Sequence, residues 1–265
     1  MVWLGPLVLL LGLGVLSPGW GMFFGGAALG WIVVVYFVLR GLVRMKYQAA
    51  IRCLRRGEYS QAVAEMDALI QEEPDVPEHR RFRAELYRLS GAPQKAAADY
   101  EHLARLTPGS AEGCIGLAEV YAQQGEFGRA RGYAQQALER ESRQWLPAYT
   151  LGMIEDRLGD AASAADHLGQ AWDAGIPASR HRLLVRLWLA RNTYRLGHPD
   201  AAQQHIDRMR EQAEGLRDWQ LVFESEQAAA LRGLLEEDVR LVQQLLESQT
   251  PLEMLGGAID RPMVR

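Results

Sequence analysis

The chain has 265 residues, 48% of them hydrophobic and 23% charged, which excludes a disordered tail and leaves enough apolar side chain for a sizeable core. Its two cysteines, Cys53 and Cys114, are too few for a disulfide framework or an all-thiolate zinc site, and a net charge of -4 argues against a nucleic-acid binder. The charges are unevenly placed: all 33 acids lie after Gly57, whereas Arg40, Arg44, Lys46, Arg52, Arg55 and Arg56 precede it.

From Val2 to Leu39 there is no Asp, Glu, Lys, Arg or His, a run better suited to a bilayer than to a soluble domain. Ser17-Pro18-Gly19-Trp20-Gly21 breaks it into apolar helices over residues 2–16 and 22–39. At 1.5 Å per residue these reach about 22 and about 27 Å against roughly 30 Å of hydrocarbon. The expectation is an N-terminal transmembrane helical hairpin within residues 1–41, with Trp3 and Trp20 at the interfaces. A re-entrant first segment is the alternative. A cleavable signal peptide is disfavoured because no basic side chain precedes the apolar run. The bases from Arg40 to Arg56 hold the flank on the cytoplasmic side, which implies an integral protein of a bacterial cell membrane with a cytoplasmic C-terminal repeat domain. The spacings Gly21/Gly25 and Gly26/Gly30 allow close helix approach, in the hairpin or in an oligomer.

Beyond residue 43 glycines mark a period. Gly57, Gly91, Gly125, Gly159 and Gly197 are 34, 34, 34 and 38 residues apart, each between two amphipathic stretches. Five residues after each stands Ala62, Ala96, Ala130, Ala164 or Ala202; seven before stands Ala50, Ala84, Ala118, Gly152 or Ala190. Columns of such small side chains allow two helices joined by a short turn to pack closely. Flanking columns, such as Leu117, Leu151 and Leu189 before the turn and Met66, Tyr100, Leu168 and Ile206 after it, form a buried stripe. Pro74 and Pro108 end the first two units. On these residues the stretch 43–215 resembles five tetratricopeptide repeats, with Leu117 to Leu138 the best single copy. Three departures stand out: Arg83 in an apolar column, Glu155 in a column that holds Tyr87 and Tyr121, and four extra residues between Ile176 and Leu183. The fold this implies is all-α, a helical-hairpin solenoid of about five repeats. Residues 216–247, with Trp219, Val222, Phe223 and Leu231 near helical spacing, read as capping helices, and 248–265 as a tail or short docking segment.

No phosphate loop, nucleotide fingerprint, nucleophile elbow or metal-binding histidine pair has the required spacing. Hence no enzyme, cofactor or metal site is expected. The six histidines read as isolated surface residues, the cysteines as buried small hydrophobes, and Glu72-Glu73 and Glu236-Glu237-Asp238 as solvated charge at helix ends or exposed faces. Stacked helical pairs curve so that the first helix of each lines a concave groove. The candidate groove positions are Arg81, Glu85 and Arg88; Ile115 and Glu119; Tyr149, Met153 and Asp156; and Leu187, Trp188, Arg191 and Tyr194. Large apolar side chains flanked by charge suit an extended peptide or partner helix. Tyr47 and Ile51 occupy the first repeat's groove positions, where some tetratricopeptide domains place residues that grip a C-terminal carboxylate, so that clamp is not expected. The function implied is a membrane-anchored scaffold that binds protein partners at the cytoplasmic face. The alternative is a structural accessory subunit of a larger membrane complex.

Overall fold

The computed structural model describes residues 46–224 and 229–259. The expected transmembrane hairpin within 1–41 lies outside them. Among the described residues there are thirteen α-helices and no strand, and no helix is long and apolar enough to cross a membrane.

The chain divides into two units after Pro74. In the first, α1 (46–55) and α2 (Tyr59–Glu72) form one helical hairpin in which Ala50, Ala62, Met66 and Leu69 are fully buried. In the second, α3 (Pro77–Leu89) and α4 (Pro93–Leu106), α5 (Glu112–Gln123) and α6 (Phe127–Arg140), α7 (Trp145–Leu158) and α8 (Ala161–Asp173), and α9 (Ser179–Arg195) and α10 (Pro199–Met209) form four further hairpins. Each of these helices packs on the next along the chain. There follow α11 (Glu214–Glu224), α12 (Ala229–Glu247) and α13 (Pro251–Ile259).

The ruler glycines are helix terminators. Gly57, Gly91, Gly125, Gly159 and Gly197 have φ between 75° and 80°, the left-handed region that disfavours a β-carbon. In every copy the residue after the glycine donates its backbone N–H to the carbonyl four before the glycine, as in Ala92 to Tyr87 at 2.8 Å and Glu126 to Tyr121 at 2.9 Å. That closure satisfies a carbonyl the helix end leaves open and reverses the chain. Proline at the first position of α3, α4 and α10 starts helices where no intrahelical N–H is needed. The alanines five after the glycines are all fully buried, as are Ala84, Ala118 and Ala190 seven before. At Gly152 even a methyl group is excluded: a β-carbon would stand 2.7 Å from Leu168.

The four extra residues of the fifth repeat lengthen its first helix. After α8 the chain turns at Gly175 (φ 85°), and α9 then runs for 17 residues against 12 to 14 in α3, α5 and α7. The helices α5, α7, α9 and α11 make contact in series and so form one continuous row of first helices. Helix α12 does not extend the row; it lies on it, packed against α3, α5 and α9 as well as α10, α11 and α13. The C-terminal stretch after Ser248 is helical over α13, whose Leu255 is fully buried.

Candidate functional site

The face formed by the first helices carries a buried polar network. Asp156 of α7, 1% exposed, accepts from Arg191 Nε at 3.1 Å, Asn192 Nδ2 at 2.9 Å and Arg195 Nη1 at 3.0 Å, all from α9. Asp238 of α12, 2% exposed, accepts from Trp188 Nε1 at 2.7 Å, from Arg191 Nη2 at 2.8 Å and from Arg157 Nη2. The same Arg157 nitrogen donates to the backbone carbonyl of Leu234 at 2.9 Å, so α7 holds α12 by main chain and side chain together.

This arrangement sets the charge states. Burial works against the Asp238 carboxylate, but Arg157 and Arg191 outweigh it and hold its pKa far below the usual carboxylate range. For Arg191, burial lowers the pKa, and Asp238 and Asp156 raise it further than burial lowers it. Arg195 is held below its usual value, first by burial, with Asp156 opposing. Three guanidiniums thus share two carboxylates, one of which belongs to α12. Without that carboxylate, three guanidiniums face the single carboxylate of Asp156, and a buried uncompensated charge is costly.

A second cluster joins α7, α9 and α11. The ring of Tyr149 lies 5.3 Å from Trp188, 5.5 Å from Trp145 and 5.2 Å from His181, and His181 lies 5.8 Å from Trp219. His181 Nδ1 is 3.2 Å from the Tyr149 hydroxyl, and Trp219 Nε1 donates to the carbonyl of Arg180 at 2.9 Å. Burial first, then Arg180, brings the His181 pKa down to about 4.

Near the other end, Arg88 Nη2 donates to Glu85 Oε2 at 2.6 Å, and the Tyr100 hydroxyl donates to Glu85 Oε1. Glu119 is pushed up to about 6 by burial, with Arg88 lowering it and Glu85 raising it.

The groove positions read from the sequence therefore divide. Arg81 is exposed, 3.9 Å from the equally exposed Glu112. Glu85, Arg88 and Glu119 come together in the half-buried cluster just described. Ile115 is buried with Cys114, Ala111 and Ala137. Tyr149, Met153, Leu187, Trp188 and Arg191 are buried, Leu187 and Trp188 completely. Tyr194 packs on α13, where a β-carbon on Gly256 would come within 2.6 Å of its hydroxyl. Much of the row is thus covered by the chain's own C-terminal helices.

Three sequence expectations are corrected. Asp238 is neither terminal nor solvated: it sits mid-helix, in the stripe of Leu231, Leu235, Val242 and Leu245, because two arginines and an indole N–H stand opposite. The histidines are not all surface residues: His79 is buried, and His167, His181 and His205 are part-buried with named partners, since His167 meets Glu155, His181 meets Tyr149 and His205 Nδ1 stands 3.1 Å from Arg186 Nη1. Cys114 is buried but Cys53 only partly so, 3.9 Å from Gln61 Oε1, and both thiols are free. Among the described residues no three His, Cys, Asp or Glu side chains cluster as metal ligands would.

The family profile described as tetratricopeptide repeat matches residues 47–111 and 115–179. No curated protein matches the chain by sequence. Among solved structures it is similar to PilW, titled a widely conserved type IV pilus biogenesis factor, at 19% identity and TM-score 0.56 over 81% of this chain and 98% of that one. It is similar to MamA residues 41-end of Desulfovibrio magneticus RS-1 at 16% identity and TM-score 0.55, over 65% of this chain and 95% of that one. A thermophilic TPR protein of Thermus thermophilus matches at 21% identity and TM-score 0.53, over 71% of this chain and 98% of that one. At these identities the likeness is one of fold.

Proposed function

With tetratricopeptide repeats established over residues 47–111 and 115–179, we propose that the chain is a membrane-tethered scaffold whose first-helix row holds a protein partner at the cytoplasmic face. The observation that carries this reading is the helix already seated on that row: α12 lies across α3, α5 and α9, anchored by Asp238 on Arg157, Arg191 and Trp188. A surface that binds one helix by an apolar stripe and a charged anchor has the chemistry to bind another. The tether is supported by the charge-free run from Val2 to Leu39 and the bases from Arg40 to Arg56 behind it. Tethering raises the local concentration of whatever the repeats hold. The polar residues of the row pair with one another in structural contacts, so the reading is of a binding surface and not of a catalyst.

The test has two arms. A tagged chain is expected in the membrane fraction, with its C-terminal part resistant to protease added to intact spheroplasts. A photoreactive side chain at the exposed Arg81 is expected to capture a protein in intact cells. Recovery of the chain in the soluble fraction, or digestion from outside, overturns the tether. The occupied row also favours a second reading, a structural accessory subunit of a membrane complex; native sizing after gentle extraction distinguishes one stoichiometric assembly from exchangeable partners.

A further inference from the structure

Helix α12 differs from the rest of the unit in how it is held. The hairpins are joined by packing between neighbours in sequence, whereas α12 is fixed by donors 47, 50 and 81 residues away: Arg191, Trp188 and Arg157. Its apolar side is Leu235, Val239, Val242 and Leu245, all buried, with Asp238 among them. Its other side is solvent-facing, with Glu236, Glu237 and Arg240 exposed. It is an amphipathic helix with one acidic anchor, seated on a face of opposite charge.

The seat has its own requirements. If α12 leaves, Asp156 remains as the carboxylate facing Arg157, Arg191 and Arg195, the Trp188 indole N–H loses its acceptor, and Arg157 loses both Asp238 and the carbonyl of Leu234. Buried donors and charges left in this way are strongly destabilising, so the empty seat is unfavourable and an occupant must bring a carboxylate. The occupant must also offer apolar side chains three before and one, four and seven after that carboxylate, the offsets of Leu235, Val239, Val242 and Leu245 from Asp238.

We propose that α12 is the groove's resident ligand, and that the partner enters as an amphipathic helix carrying Asp or Glu within its apolar stripe, exchanging with α12 on Arg157, Arg191 and Trp188. This rests on the reading of the first-helix row as a partner seat and is independent of the membrane tether. Exchange sets the affinity: a helix in the same chain competes at an effective concentration of roughly millimolar, so an incoming helix binds weakly until α12 is loosened.

The probe is a fluorescent peptide with the sequence of residues 229–247, titrated against the full chain in detergent and followed by anisotropy. The native chain is expected to bind it weakly. Asp238→Asn in the chain, which loosens the resident helix and leaves its seat intact, is expected to raise binding at least tenfold. The peptide carrying the same Asp→Asn change is expected to bind that variant at least tenfold less well, and adding Arg191→Gln to the variant to reverse the gain. Should Asp238→Asn fail to fold, Val239→Ala replaces it, trimming α12's packing and sparing the anchor, with a smaller gain expected. A folded variant that binds the peptide no better than the native chain, or that binds Asp and Asn peptides equally, overturns the proposal. Failure of the scaffold reading would be seen elsewhere, as an absence of captured protein from Arg81 while peptide exchange proceeds.

Discussion

Glu155 and His167 face each other across the two helices of the fourth repeat, with Glu155 Oε2 2.7 Å from His167 Nδ1 and Glu155 almost wholly buried. The glutamate stands where the second and third repeats carry Tyr87 and Tyr121. Its tolerance in that column depends on the histidine.

The hydrogen bond to Glu155 raises the His167 pKa above the ordinary imidazole value, and burial opposes it. A histidine raised in this way adds stability that is complete below the unfolded value near 6.5 and is lost as pH rises through the folded value. The stability difference between the native chain and His167→Gln, from urea unfolding, is therefore expected to be about 1 to 2 kcal/mol near pH 6 and to shrink toward pH 9. A difference that grows with pH would show that the pair is not held by a charged imidazole.

His181 predicts the opposite slope in a separate window. Its folded pKa is about 4, so its contribution is complete above about 6.5 and is lost as pH falls toward 4. His181→Gln keeps an acceptor for the Tyr149 hydroxyl but does not titrate. Relative to that variant, the native chain is expected to lose about 2 kcal/mol between pH 7 and 4.5, a figure reduced for partial solvent access. Equal acid sensitivity in both would remove His181 from the account.

Arg83 and Asp99 form a two-pronged pair at 2.7 and 2.6 Å, with Arg80 Nη1 3.3 Å from the same carboxylate. Asp99→Leu alone is expected to cost about 2 to 3 kcal/mol, because it takes the shared carboxylate away from two part-buried guanidiniums. Arg83→Leu together with Asp99→Leu is expected to recover most of that loss, since an apolar pair suits this column. Strict additivity of the two single changes in chemical denaturation would contradict the pairing.

Two glycine-to-alanine changes in helix interiors are expected to have opposite signs. A β-carbon on Gly116 of α5 would clash with the Tyr100 ring, whereas one on Gly132 of α6 meets nothing within 4 Å. Gly132→Ala should stabilise by up to about 1 kcal/mol through helix propensity. Gly116→Ala should destabilise by about 1 to 3 kcal/mol, because overpacking between repeats outweighs the same propensity gain. Thermal melts of the two variants decide it, and a shared sign would mean that the repeat interface yields.

The turns and the small-residue columns are fully legible in the sequence, because a left-handed glycine and a helix crossing each demand a particular side chain at a fixed offset. The partners of the irregular residues are legible in principle. Asp99 and His167 both stand eight residues after the turn glycine, the column that also holds Tyr133, stacked on Tyr121 at 5.5 Å, and His205, paired with Arg186. Set beside the odd residues, that column matches Arg83 and Glu155 to their partners. Asp238 is different. An aspartate next to two glutamates has the local appearance of solvated charge, and its donors are 47 to 81 residues away, beyond the reach of helical periodicity. The row of first helices looks open in the sequence for the same reason: α12, which covers it, is placed by tertiary contacts.

The distance in sequence between α12 and its donors also bears on synthesis. A nascent chain that has reached Leu196 has translated Arg157, Trp188 and Arg191, yet Asp238, which neutralises the two arginines and accepts from the indole, still lies 42 codons ahead. Until the ribosome delivers it, the hairpins can form from local contacts while their inner face stays cationic and wet. Synthesis of this protein thus includes an interval in which the guanidiniums of α7 and α9 lack the carboxylate that α12 later brings.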